Sequence, residues 1–198
     1  MELNWNYDQG QTPLDEDEKE GLKLKQLLTK ADLDLAEQKS IEFAILWSLG
    51  LNLSADKLLT ETFIIKVHKQ MFKSVWEWAG VYRKTDKNIG VDKWTILTEL
   101  KYLLDDTKYW ISNNTFSSDE IVIRFKHRLV SIHCFPNGNG RHSRLMADIL
   151  ISQVFKLEVF TWGSKANDTP ELQRSMYLKA LREADNGNYN PLVIFARS

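Results

Sequence analysis

The stretch Ser117-Ser118-Asp119-Glu120-Ile121-Val122-Ile123-Arg124-Phe125-Lys126-His127-Arg128-Leu129-Val130-Ser131-Ile132 runs directly into His133-Cys134-Phe135-Pro136-Asn137-Gly138-Asn139-Gly140-Arg141-His142-Ser143-Arg144. In its first half, Val122, Phe125, Leu129 and Ile132 recur at helical spacing and share one face. Ser117 followed three residues later by Glu120 is a capping-box pattern at its start. Pro136 and Gly138 then stop the helix. Leu145, Ile149 and Leu150 open a second helical pattern. The reading is helix, glycine-punctuated turn, helix.

The turn holds the residue types needed for phosphate chemistry. Free N–H groups and the partial positive charge at the second helix start suit phosphate oxygens. Gly138 and Gly140 let backbone come close to a ligand. Arg141 and Arg144 lie three residues apart, on nearly one face, where guanidinium groups fork onto phosphate oxygens. His133 ends the preceding helix and faces the same mouth, where an imidazole can take a proton from an attacking hydroxyl. His68, His127 and His142 lack this setting and read as ordinary structural histidines. The chain has neither a zinc-type His-Glu-x-x-His spacing nor a Gly-Lys-Ser/Thr phosphate loop.

Outward from this stretch the chain reads as all-α. Residues 14–28 suit a short helix carrying Leu22, Leu24, Leu27 and Leu28. Thr29 and Asp32 cap a helix through Leu49, closed by Gly50, with Leu33, Ala36, Ile41, Ala44, Ile45 and Leu49 available for burial. Ser54 opens a helix in which Leu59, Phe63, Val67 and Met71 recur every fourth residue. Thr95–Asn113 is another, and Thr169-Pro170 starts a last one ending near Asn186. Between them, Trp78–Trp94 carries turn residues Gly80, Asp86, Asn88 and Gly90 among Val81, Tyr82, Ile89 and Val91, which predicts a short β-hairpin.

Composition bounds the function. The 198 residues include 43% hydrophobic side chains, enough for one sizeable core. A net charge of −1 gives no basic surface for nucleic acid. No apolar run approaches a membrane span, and no signal pattern opens the chain. One cysteine excludes an internal disulfide and fits a reducing cytoplasm, so a cytoplasmic location is expected.

The run from His133 to Arg144 resembles the signature of the Fic (Fic/Doc) family, His-x-Phe-x-Asp/Glu-Gly-Asn-Gly-Arg-x-x-Arg. His133, Phe135, Gly138, Asn139, Gly140, Arg141 and Arg144 match, and Asn137 replaces the acidic residue. Within the family the chain is most similar to the small bacterial subgroup called mobile mystery protein B. Trp78-Ala79-Gly80, Tyr82-Arg83 and Asn88-Ile89-Gly90 resemble the family's flap, and Tyr177–Asp185 its C-terminal helices. The resemblance covers about residues 55–195. It implies a Fic-type helical bundle with a small β-hairpin flap over the active site. Residues 1–54 would form an N-terminal arm and helices with a regulatory role, and residues 55–198 the catalytic core.

The implied activity is protein adenylyltransfer: AMP passes from ATP to a Ser, Thr or Tyr hydroxyl of a target protein, with Mg²⁺ or Mn²⁺ assisting. His133 would be the general base. Asn137, Gly138, Asn139, Gly140, Arg141 and Arg144 would bind the nucleotide phosphates. Lys87, Asn88, Ile89 and Gly90 would dock the target by main-chain pairing. Asn137 would be a weakened metal ligand, because Mg²⁺ prefers anionic oxygens. Gly140, where phosphorylating relatives of the Doc type have lysine, favours AMP over phosphate transfer. Many family members carry an inhibitory glutamate that pairs with the second motif arginine, here Arg144. Glu37 stands nearest to that position, and a separate antitoxin protein is the other expected source of inhibition. Two alternatives stand beside this: transfer of another nucleotide or phosphate-containing group on the same scaffold, or a non-catalytic partner-binding module.

Overall fold

A computed structural model describes residues 12–26, 29–164 and 169–198. The described residues form the helices α1 (Glu16–Glu20), α2 (Lys30–Leu49), α3 (Ala55–Leu58), α4 (Glu61–Phe72), α5 (Ile96–Asn113), α6 (Ser118–Ile132), α7 (Asn139–Gln153), α8 (Pro170–Asp185) and α9 (Asn190–Arg197). A 3₁₀ turn, Lys93–Thr95, leads into α5. No helix among the described residues is long and apolar enough to cross a membrane.

Three of the expected N-caps form, although Glu120 bonds Arg124 instead of completing a box with Ser117, and Ser54 makes no cap bond. Thr29 accepts from the Asp32 N–H at the start of α2, Ser117 from Glu120 at α6, and Thr169 from Leu172 at α8. Each satisfies a backbone donor that the helix itself leaves without an acceptor. The helix expected from Ser54 breaks in two, because Leu59 leaves helical geometry and Thr60 caps α4 through the Phe63 N–H. The helix expected over residues 14–28 is only α1, which ends at Gly21; its Leu27 and Leu28 lie outside the described residues. Leu22 instead makes an isolated bridge with Trp76.

The antiparallel pair α6 and α7 is the centre of the bundle. α5 and α9 pack on α6, α4 packs on α7, and α2 packs on α4. Val122, Phe125, Leu129 and Ile132 from α6 are fully or almost fully buried, as are Met146, Ala147, Leu150 and Ile151 from α7 and Ile64, Val67, Met71 and Phe72 from α4. Each large apolar side chain so buried contributes about 1.5–3 kcal/mol. The core thereby fixes the α6–α7 corner, and with it the His133–Arg144 turn.

The β-hairpin does not form: residues 78–94 contain no strand. The two arms are joined by a side chain rather than by a ladder. Arg83, 3% exposed, lies between them. Its guanidinium donates to the carbonyls of Thr85 and Val91, and its Nε to the His133 carbonyl at 2.6 Å. The arms bond separately to the α6–α7 corner, Arg83 N–H to the Cys134 carbonyl at 3.0 Å and Val91 N–H to Ile132 at 3.4 Å. β-Branched residues gave the segment a strand pattern, but the arginine occupies the space that cross-strand pairing needs.

Candidate active site

His133 is the C-cap of α6 and has φ 57°, a left-handed conformation uncommon for a side-chain-bearing residue. The helix C-terminus turns there, and the bond from Arg83 to the His133 carbonyl holds the strained position. The ring is 4% exposed. Burial lowers its pKa to about 4, the Arg83 charge adds to the effect, and the Val130 backbone opposes it. The imidazole is therefore neutral at pH 7. Its Nε2 lies 3.3 Å from the hydroxyl of Thr12.

Phe135 anchors the turn. Its ring stacks on His68 with centroids 3.7 Å apart, meets His142 edge-on at 5.1 Å, and is fully buried. His68 ties three elements together. The Gly80 N–H donates to its Nδ1 at 2.9 Å, so Nε2 carries the proton and donates to the Asn137 carbonyl at 3.1 Å. Asn139 brackets Phe135 from the other side: its Oδ1 accepts from the Phe135 N–H at 3.0 Å and its Nδ2 donates to the Phe135 carbonyl at 2.7 Å. The Asn139 side chain thus shapes the loop, and its contribution to a ligand is limited to the backbone. Gly138, at φ 77°, caps α7 where a Cβ would meet the Phe72 ring at 2.4 Å.

The start of α7 presents its first N–H groups to an open groove of about 1260 Å³. Thr12, Ile89, Gly90, His133, Arg141 and Arg144 all line it. Arg141 reaches toward α2, where it forms a 2.6 Å ion pair with Glu37. Arg144 points the other way, its guanidinium 5.1 Å over the Tyr177 ring of α8. Glu37 is 4% exposed, and its second oxygen accepts from Trp76 Nε1 at 2.6 Å. The expected pairing of Glu37 with Arg144 is therefore replaced by pairing with Arg141. The cause is geometric: α2 faces the first turn of α7, and the second arginine is held against α8.

Asn137 also has partners. Its Nδ2 donates to the Thr12 carbonyl at 2.9 Å, and its Oδ1 accepts from the Gly138 N–H at 2.6 Å. The donor set does not fit a resident Mg²⁺. One neutral oxygen, already accepting, replaces the one or two carboxylates that such a site uses. No group of three or more His, Cys, Asp or Glu residues suited to a metal occurs among the described residues.

At the flap, Gly90 comes so near His133 that a Cβ on it would lie 2.8 Å from the histidine's Cβ. Asn88, Ile89 and Gly90 are exposed, and Ile89 and Gly90 line the groove. Lys87 is different. Its side chain is 3% exposed and its ammonium bonds Asp15 at 2.8 Å and Glu18 at 2.6 Å. The predicted docking residue is engaged by the chain's own N-terminal segment.

Sequence reasoning missed four members of the site: Arg83, His68, Trp76 and Thr12. Only Arg83 had a signal, as part of the flap pattern. His68 and Thr12 meet the loop across more than sixty residues of sequence, and Trp76 meets Glu37 across 39, which no local pattern encodes.

Residues 58–151 match the Fic/DOC family. The chain carries a Fic domain. A protein adenylyltransferase Fic of Drosophila grimshawi is 28% identical over 119 residues, 59% of this chain and 23% of the relative. That of Drosophila persimilis is 32% identical over 100 residues, 49% of this chain and 18% of the relative. The chain thus spans under a quarter of the length of these curated relatives. Among solved structures, the N-terminal Fic domain of Bep8 from Bartonella sp. 1-1C has a TM-score of 0.68 at 16% identity, with 90% of each chain covered. BepC of Bartonella tribocorum, solved with bound AMPPNP, has a TM-score of 0.64 at 20% identity, covering 100% of this chain and 96% of BepC. These likenesses establish the Fic fold. The family match takes in α4 through the first part of α7's C-terminal turn, and so includes the flap, His133 and both arginines.

Proposed function

We propose that the chain is a protein adenylyltransferase of the mobile mystery protein B type. It would transfer AMP from ATP to a Ser, Thr or Tyr hydroxyl of a target protein. The observation that carries the reading is the neutral His133 imidazole, whose Nε2 meets a hydroxyl at 3.3 Å beside a helix N-terminus bearing Arg141 and Arg144. A hydroxyl so placed attacks the α-phosphorus, its proton passes to His133 Nε2, and pyrophosphate leaves. The α7 N–H groups and the two arginines hold the phosphates. A divalent cation would have to be held by the nucleotide phosphates, since among the described residues of the loop it would find only the Asn137 amide oxygen. The named activity of the Drosophila relatives and the AMPPNP in BepC support ATP as donor.

Glu37 is the inhibitory residue in this reading, because its carboxylate takes the Arg141 guanidinium that a phosphate needs. Asn88, Ile89 and Gly90 form the docking edge for the target. The neutral, already engaged Asn137 favours one second reading, transfer from a different nucleotide or phosphate donor that depends less on a protein-bound metal.

Intact-mass measurement tests both. The Glu37→Ala protein is incubated with ATP and Mg²⁺ or Mn²⁺, alone and with cell extract, beside Glu37→Ala with His133→Ala. One AMP increment on the chain or on an extract protein, lost without His133, is the expected result. Labelling only from another nucleotide selects the second reading. No transfer from any nucleotide excludes both and leaves a non-catalytic Fic module.

A further inference from the structure

We propose that Thr12 is an acceptor hydroxyl of the chain's own site and is adenylylated in cis. The inference rests on the nucleotidyltransferase reading above and identifies a modified residue for it.

Thr12 is 7% exposed, although it lies in an irregular segment ahead of α1. Its Oγ1 is 3.3 Å from His133 Nε2, the position a hydroxyl must take to give up its proton to that base. The contact is built rather than incidental. The Thr12 carbonyl accepts from Asn137 Nδ2 at 2.9 Å. Pro13 fixes the next φ, and Leu14 is buried in the main core. Asp15 then accepts from Lys87 at 2.8 Å and from the Thr85 hydroxyl at 2.6 Å, both on the flap. The segment is thus pinned on the loop side through Thr12 and on the flap side through Asp15. It lies where the flap and the catalytic loop would receive a target.

Asn137 gives this arrangement a chemical basis. The family pattern has a carboxylate at that place, and a carboxylate cannot donate to the Thr12 carbonyl. The amide can, so the departure from the pattern is also the residue that grips the acceptor segment. Thr12 shares one groove with Gly138, Asn139, Gly140, Arg141 and Arg144, the residues assigned to the phosphates. A hydroxyl held there is at high effective concentration relative to any target in solution.

The step is a simple displacement. The Thr12 Oγ1–H bond breaks and its proton goes to His133 Nε2. The Oγ1–Pα bond forms, the bond from Pα to the bridging oxygen breaks, and pyrophosphate leaves with that oxygen. The product is O-adenylyl-Thr12.

Peptide mapping by mass spectrometry after incubation of the full chain with ATP and Mn²⁺ tests this. Parent, Glu37→Ala, Glu37→Ala with Thr12→Val, and Glu37→Ala with Thr12→Ser are compared. The expected result is AMP on the peptide containing Thr12 in Glu37→Ala, with a rate constant unchanged on dilution. Thr12→Val should abolish that label and Thr12→Ser restore it, while circular dichroism confirms that both remain folded. Label at other residues or on an added extract protein, with none at Thr12, overturns the inference and leaves the adenylyltransferase reading standing. A rate that falls in proportion to dilution overturns the cis assignment. No label on the chain or on extract proteins in any variant overturns the inference and the underlying reading together.

Discussion

Glu37 of α2 and Arg141 of α7 are joined by a 2.6 Å ion pair across the groove, 104 residues apart in sequence. The carboxylate is buried and also accepts from Trp76, whereas the guanidinium side chain is 37% exposed and partly wet. The pair therefore has a fixed end and a releasable end. Removing the fixed carboxylate should free Arg141 for phosphate. We expect Glu37→Ala to bind a non-hydrolysable ATP analogue at least roughly fivefold more tightly in titration calorimetry, the scale of a charge-assisted hydrogen bond regained by the ligand. The same change removes the 2.6 Å bond from Trp76 Nε1 to the buried carboxylate, so the apo protein should lose about 1–3 kcal/mol of stability. Equal nucleotide affinity in the two proteins would sink the inhibitory role.

The base can be tested by pH. An ordinary histidine titrates near about 6.5, so an exposed general base would give an acid limb there. Burial moves His133 to about 4. The acid limb of kcat/KM for adenylyl transfer, which reports the free enzyme, should accordingly lie well below 6.5 and toward 4. Because the folded pKa is depressed, the neutral ring favours folding above the unfolded pKa. That contribution is lost as pH falls from about 6.5 toward about 4. A limb at 6.5 would show that the ring is solvated in the working enzyme.

How far the chain was legible follows from where each decision is made. The caps of α2, α6 and α8 could be read because Thr29, Ser117 and Thr169 act on residues three positions away. The turn between α6 and α7 was equally local. The buried face of α2 was not. Glu37, Ser40 and Ser48 point inward there, while Ile45 and Leu49, both expected inside, are 42% and 71% exposed. Arg141, Trp76 and Ser74 decide that face by bonding the polar residues, Ser74 through a 2.7 Å contact with Ser40. The flap misled for the same reason, since Arg83 replaces a ladder with side-chain bonds. α9 was passed over because its eight residues follow α8 after a four-residue turn and offer too little periodicity.

Two glycines of the turn should separate structural from ligand-facing roles. A Cβ at Gly138 would lie 2.4 Å from the Phe72 ring, in a φ of 77° that disfavours any side chain. A Cβ at Gly140 would meet nothing within 4 Å. We expect Gly138→Ala to lose about 1–3 kcal/mol in denaturant unfolding. Gly140→Ala, in the first turn of α7, should leave stability unchanged or slightly raised. Any fall in transfer activity in Gly140→Ala then reports crowding of the nucleotide and not of the fold.

Asn137→Asp should trade one function for another. The carboxylate loses the donor that holds the Thr12 carbonyl and gains the charge that a divalent cation prefers. Hydrogen exchange should show faster labelling of the segment around Leu14 and Asp15 in the variant, with the α6–α7 core unchanged. Mg²⁺ should bind the variant's nucleotide complex more tightly than the parent's. Unaltered exchange at that segment would mean that Lys87 and Thr85 hold it without help from Asn137.

Asp148 offers a stability test on α7, one turn beyond Arg144. It lies in α7, accepts from Trp162 Nε1 at 3.1 Å and from the Phe160 N–H at 3.2 Å, and burial lifts its pKa from 3.8 to about 7. The folded state therefore holds a proton that the unfolded chain releases between those values. Its stabilising contribution is fully present below about 3.8 and is lost as pH rises toward about 7. His133 and His142, both lowered to about 4, have the opposite slope over part of that range. The comparison must therefore be made between parent and Asp148→Asn, which keeps an acceptor oxygen for Trp162 and Phe160 but does not titrate. The stability of the variant relative to the parent, measured by urea unfolding, should rise from pH 4 to pH 7 by a few kcal/mol and then level off. A difference independent of pH would mean that water reaches the Asp148 carboxyl in the folded protein and that its charge is accommodated there.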